Sequence, residues 1–308
     1  MKSRSVLRLA AVLLVLSVAR LFPGFLLSLH TGRPVPSPTV PSQSENPIPP
    51  TQITQPIEPP TQPEAVVSFS PGDLQDLKIK YSCDYRPDLS KLLTAQLPLL
   101  QGKQPTVLII HTHGSESYKD SYPQPEPYRC LDNAQNMIAV GDEVARVLEL
   151  AGIRVIHDRN IYDYPDYSGA YSAARKAIRE HLARHPDIQM VLDLHRDAAD
   201  GDYGQLVTTA TVGGQSSAQI MFVVGTDAGG NSHPNWQENL SLALKLSVLL
   251  EQENPGITRG ISLRSQRFNM DMTPGSLLVE MGAAGDTLQE AILAANALAN
   301  GILTLLGR

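Results

Sequence analysis

Residues 106–116 read TVLIIHTHGSE. The first five, Thr106–Ile110, are β-branched or apolar without a break, the pattern of a strand covered on both faces. The polar cluster His111, Thr112, His113, Gly114, Ser115 and Glu116 follows at once. Open α/β sheets bind ligands beyond the carboxyl ends of their strands, so this stretch predicts both a buried parallel sheet and the place where its chemistry sits.

Working outward, strand and helix patterns alternate. Residues 136–150 predict a helix with Val140, Val144, Val147 and Leu148 on one face, and Gly152 as its stop. Residues 153–157, 188–194, 206–212, 220–224 and 276–281 predict strands; 171–185 and 239–253 predict helices. A short helix is expected at 73–78. Thr287 and Glu290 form a capping box that opens a last helix, ending near Leu306. The alternation predicts a three-layer α/β sandwich with a mostly parallel sheet.

The ends of the chain read differently. In residues 1–30, Lys2, Arg4 and Arg8 precede apolar residues that run from Leu9 to Leu29, interrupted by Arg20 and Pro23. The pattern predicts a membrane anchor or uncleaved signal segment with its N-terminus on the cytoplasmic side. Residues 31–65 hold 11 of the 24 prolines and keep no apolar periodicity, the composition of an extended linker. The rest, 66–308, is read as one globular domain, carried outside the cytoplasm by a single-pass anchor.

Composition excludes some classes. Lys and Arg number 25 against 31 Asp and Glu, so no cationic surplus supports nucleic-acid binding. The two cysteines, Cys83 and Cys130, are too few for a cysteine-based metal module, and are left as one disulfide or two thiols. No GxSxG elbow, Walker loop or GxGxxG is present.

Three predicted strand ends carry metal-binding side chains: His111, His113 and Glu116 after the first, His195 after residues 189–194, and Glu280 near the end of the last. Imidazole and carboxylate suit zinc, which in hydrolases takes three protein ligands. On a continued strand His111 and His113 would point the same way. Glu280 lies between Val279 and Met281, where a carboxylate is costly unless paired or functional, and is the candidate base that takes a proton from water and passes it to a leaving amine. Asp193 is a candidate to orient an imidazole. Arg196 and Asp197 are candidates for an ion pair or a substrate contact. His233–Trp236 is read as a groove wall or a structural cap, and His157 and His181 as ordinary.

The ordered series IIHTHGSESY (109–118), VGDEVARVLE (140–149), GIRVIHDRNIYD (152–163) with YSGAY (167–171), LDLHRDA (192–198), VGT (224–226) with HPNWQENL (233–240), and FNMDMTPGSLLVEMGAAGDTLQEA (268–291) resembles the stage II sporulation protein P family, SpoIIP. The resemblance spans about residues 105–305. It implies a fold similar to zinc-dependent N-acetylmuramoyl-L-alanine amidases (phosphorylase/hydrolase-like) and a Zn2+ enzyme that cuts peptidoglycan during engulfment, as amidase and endopeptidase. It also implies a SpoIID-type lytic transglycosylase and a SpoIIM-type membrane protein as partners. Matched residue by residue, it implies zinc on His113, Glu116 and His195 and catalysis by Glu280. The Glu ligand of ordinary amidases comes from near the first helix, where this chain has no Glu, so His111 is the alternative third donor. Phe268 stands where the family usually has Tyr, and Asp286 where Asn is common. The competing readings are a peptidoglycan-binding scaffold without catalysis and a zinc carboxypeptidase acting on stem peptides.

Overall fold

Strand Thr106–Ile110 forms as read, with all five residues buried. The computed structural model describes residues 67–97, 105–121, 126–198, 200–201 and 204–308. The anchor expected at 1–30 and the linker at 31–65 lie outside the described residues. In chain order the strands are β1 (Ile79–Ser82), β2 (Thr106–Ile110), β3 (Val155–His157), β4 (Ile188–Asp197), β5 (Asp200–Gly201), β6 (Gly204–Gln205), β7 (Thr209–Val212), β8 (Gln215–Ala218), β9 (Ile220–Gly225), β10 (Thr258–Arg264) and β11 (Ser276–Ala283). The helices are α1 (Leu89–Thr94), α2 (Met137–Leu150), α3 (Ala170–Arg184), α4 (Trp236–Glu253) and α5 (Leu288–Leu305).

Seven strands make the central sheet in the order β1-β10-β9-β11-β4-β2-β3. Every neighbouring pair is parallel except β9 with β11. Alternation along the strands divides the core. Val107 and Ile109 of β2, with Met190, Leu192 and Leu194 of β4, join the large cluster that α2, α4 and α5 cover. Leu108, Ile110 and Val191 point the other way and pack with Ala174 and Ile178 of α3. The layers are therefore unequal, with α3 forming the thin one.

Local chemistry explains most boundaries. Asn136 caps α2 by accepting from Ile138 N. Gly152, at φ +81, lets Ile153 N reach back to Leu148 O and close the helix. The Thr287–Glu290 capping box opens α5 as expected. Among the described residues α5 is the one helix long and apolar enough to cross a membrane, but its packing against α2 and α4 makes it a core helix.

Three expectations need correction. The helix expected at 73–78 is a short 3-10 turn at Pro71–Leu74, which Pro71 starts and Ser70 and Asp73 cap. The strand expected at 206–212 shrinks to β7, because Gly285 N bonds Leu206 O and Asp286 holds Thr208 N and Oγ1. β10 was not foreseen: Arg259, Gly260, Ser262 and Arg264 break its apolar run. Gly260 is required there, at φ +86, because a Cβ would collide with Lys78 O of the chain entering β1. Cys83 and Cys130 are both free thiols.

Candidate functional site

The alternation that splits the core also sorts the polar side chains. Ile110 pairs with Asp193 and faces α3, so Asp193 and, two residues on, His195 point to the α3 side at the carboxyl end of β4. β11 runs parallel to β4 with Glu280 opposite His195, so these two side chains share that face. After Ile110 the chain turns instead of continuing as strand, and the turn brings His113 to the same side, its ring 5.3 Å from that of His195. Glu116 Oε2 stands 3.5 Å from His195 Nδ1 and accepts from Arg196 N at 3.1 Å. His113, Glu116, His195 and Glu280, drawn from three separate stretches, thus meet in one place.

Neighbours hold the set in position. Asp193 accepts from Thr112 N at 2.8 Å and Thr112 Oγ1 at 2.6 Å, and its Oδ1 lies 3.0 Å from His195 Nε2. That last approach is too misaligned to be a hydrogen bond, and Nε2 is left buried without a partner. Arg196 donates to Ser117 O and Tyr128 O; it braces the loop and does not pair with Asp197, which instead accepts from Arg259. Tyr118, fully buried, donates to Met281 O at 2.7 Å and so ties the loop to the strand carrying Glu280. Asp163 accepts from Ser115 N, Ser115 Oγ and Arg129.

Burial and charge set the titration. Burial opposes a charge on His195, yet Asp193 and Glu116 on its two sides raise its pKa well above the usual value. Burial works against ionised Glu116 too, but His195, Arg196 and His113 hold it down to about 2. Burial lowers His113. Glu280 is pushed up to about 8, first by burial, and its Oε2 is buried without a partner.

The structure corrects the expectation that His111 and His113 point the same way. His111 keeps the parity of Ile109 and turns toward α2, away from the other candidates. Its Nδ1 lies 3.2 Å from Leu194 O and its Nε2 2.8 Å from His157 Nε2. Both ring nitrogens are therefore engaged. Burial, then His157, brings its pKa down to about 3, so the ring is neutral, donating from Nδ1 and accepting at Nε2. His157, read as ordinary, is the partner that sequence reasoning missed: β3 lies beside β2, and its Nδ1 reaches Asp142 at 3.1 Å. Gly141 makes room for the pair, since a Cβ would sit 2.6 Å from Nε2 of each ring. Gly141→Ala is expected to cost ~1–3 kcal/mol by overpacking. A urea midpoint unchanged from the parent would refute that reading.

An aromatic wall was also missed. Tyr167, 54% exposed, stacks on His113 with centroids 4.5 Å apart and 17° between planes, and Arg129 lies over its other side. Tyr171 meets His113 edge-on at 5.4 Å. Burial, then Asp193, Glu116 and Glu280, raises its phenol pKa. YSGAY held the signal, two aromatics four residues apart at the start of a helix. In His233–Trp236, Asn235 precedes α4 without a side-chain cap, His233 lies 3.2 Å from Asn239 Nδ2, and Trp236 stacks on Tyr85.

Two imidazoles and a carboxylate suit zinc. His113 Nδ1 and His195 Nε2 are buried and make no hydrogen bond, their nearest acidic neighbours being Asp163 at 3.8 Å and Asp193 at 3.0 Å. Among the described residues no three donors are yet drawn tightly enough together to cage an ion. His195 instead lies between Glu116 and Asp193, where its own positive charge balances theirs. The donor types at His113, Glu116 and His195 are ones zinc accepts, while His111 has both ring nitrogens engaged elsewhere.

In protein free of divalent metal, Glu280 gives a pH signature. Between its ordinary 4.5 and about 8 the folded state keeps a proton that the unfolded chain has lost. The folded state therefore binds more protons, and stability falls as pH rises through that window. Glu280→Gln should flatten the fall in urea midpoint; parallel slopes for the two proteins would refute the assignment.

The profile of the family described as Stage II sporulation protein P (SpoIIP) matches residues 51–303. Stage II sporulation protein P of Bacillus subtilis (strain 168) is 30% identical over 211 residues, covering 65% of this chain and 50% of that protein. The chain spans about half the length of that curated relative. Among solved structures, N-acetylmuramoyl-L-alanine amidase AmiC2 of Nostoc punctiforme matches 67% of this chain and 99% of its own at 19% identity, TM-score 0.40. The CwlD amidase of Clostridioides difficile, solved in complex with the GerS lipoprotein, matches 67% and 96% at 13% identity, TM-score 0.38. Likeness at this level carries nothing about chemistry.

Proposed function

This chain belongs to the stage II sporulation protein P family, and from that premise we propose that it is a zinc-dependent peptidoglycan hydrolase of sporulation, an N-acetylmuramoyl-L-alanine amidase with endopeptidase activity on peptide cross-links. One observation supports the reading most: Glu280, in register with His195, offers a buried and unpartnered carboxylate oxygen to the place where His113, Glu116 and His195 meet. A binding module has no use for a base there.

Zinc, when held by His113, Glu116 and His195, supplies Lewis-acid polarisation of the scissile carbonyl and a lowered pKa for water. The chain does the rest. Glu280 takes the proton of the attacking water at Oε2 and returns it to the leaving nitrogen, which needs a carboxylate whose pKa lies near neutrality. Asp193, fixed by Thr112, gives the His195 ring an opposite charge; Arg196 N holds Glu116. Tyr167 and Tyr171 wall the site and shed water from it. Residues 1–30 anchor the chain to the membrane, and 31–65 carry the domain, roughly 66–308, out toward the wall. The partners in engulfment are a SpoIID-type lytic transglycosylase and a SpoIIM-type membrane protein.

The deciding experiment incubates purified full-length protein with intact peptidoglycan, with and without chelator, and identifies the muropeptides by mass spectrometry. A freed lactyl group that disappears with chelator and returns with zinc is expected. Cleavage insensitive to chelator would overturn zinc dependence. Binding without cleavage would establish the scaffold reading, and loss of only terminal residues the carboxypeptidase one.

A further inference from the structure

Tyr171 belongs to two surfaces. One edge meets His113, while the opposite side meets Phe268 with ring centroids 6.0 Å apart. Beyond that second side lies an open cleft of about 320 Å³, lined by Tyr171, Arg175, Gln266, Arg267, Phe268 and Asn269. The cleft therefore adjoins the site, with Tyr171 touching both.

Its two arginines are held unequally. Both terminal nitrogens of Arg175 lie 2.7 Å from the Asp271 carboxylate, which satisfies that guanidinium. Arg267 only approaches the same carboxylate, at 3.6 Å, and its side chain stays 31% exposed. Arg267 is held more loosely than Arg175, so its guanidinium is the one that can turn to a ligand.

The loop that presents Arg267 is held under strain. Phe268 and Asn269 sit at φ 49° and 61°, left-handed conformations that side chains other than glycine rarely adopt. Asn269 Nδ2 donates to Tyr171 O at 2.9 Å, and Arg175 donates to Asn269 Oδ1 at 3.3 Å. At Gly225 a Cβ would strike Gln266 O and the backbone of Arg267. Strain kept in this way belongs to a loop whose shape is used.

We propose that this cleft is a subsite for a free carboxylate of the substrate's peptide stem, read by Arg267, with Tyr171 and Phe268 packing the apolar part of the peptide. A planar guanidinium matches a carboxylate in charge and geometry. The inference rests on the reading of the site as a peptidoglycan hydrolase, because it takes the ligand to be a peptide that extends from the scissile bond.

The test is titration calorimetry of full-length protein carrying Glu280→Gln, with a synthetic muramyl peptide bearing free carboxylates and its amidated twin. The acid should bind ~10-fold more tightly than the amide, the range of one charge-assisted hydrogen bond. Adding Arg267→Gln should erase the preference, and Arg267→Lys should restore part of it. Equal affinity for acid and amide in the parent, a comparison that needs no change at Arg267, would overturn the proposal. So would an unchanged preference in Arg267→Gln. A preference for the acid in protein that cleaves nothing as wild type would reject the hydrolase reading and leave the subsite standing.

Discussion

Glu280→Gln should stop peptidoglycan hydrolysis while the protein keeps its fold and its zinc. Glutamine matches the volume of the protonated side chain but cannot accept and return a proton. Glutamine also keeps the length and volume of the buried side chain, so the substitution should not disturb packing. Losing a positioned acid–base group lowers rates by ~10²–10⁴-fold. The measurement is muropeptide release against time, with zinc content determined on the same samples. Lysis at the parental rate would remove Glu280 from the mechanism, and loss of zinc along with activity would make it a ligand instead of a base.

His195→Ala should remove zinc as well as activity. The imidazole is the one basic side chain set between Glu116 and Asp193. Its loss takes from Glu116 and Asp193 the imidazole that both face, and breaking a buried charge pair costs ~3–5 kcal/mol. Lower thermal stability is thus expected in metal-free protein, together with a fall in bound zinc measured by elemental analysis. His111→Ala is the informative companion. Both its ring nitrogens are spent on Leu194 O and His157, so it should lose stability yet retain zinc. Unchanged zinc in His195→Ala, or zinc lost in His111→Ala, would redraw the donor set.

Much of this was legible in the chain. TVLII, Gly152 and the Thr287–Glu290 box act within a few residues, through sterics and local hydrogen bonds, and each appears where expected. β10 was not legible. It is a strand because it lies between β1 and β9, and its glycine serves the close approach of Lys78, a residue far away in sequence. The aromatic wall escaped notice for a similar reason: Tyr167 and Tyr171 look like a helix entrance until the turn after β2 brings His113 against them.

The sequence by itself determined the main strands and that His111, His113, Glu116, His195 and Glu280 gather near their carboxyl ends, although β4 runs on past His195 to Asp197. Hydrophobic runs and caps specify this, and both are properties of neighbouring residues. Tertiary structure decided the roles. The chain leaves strand geometry after Ile110, so parity sends His111 to α2 while the turn carries His113 to α3. The sheet order places β11 beside β4, so Glu280 meets His195 across a ladder between strands 85 residues apart in register. Strand pairing over that distance depends on which apolar faces pack together, and nothing within reach of a local window records it.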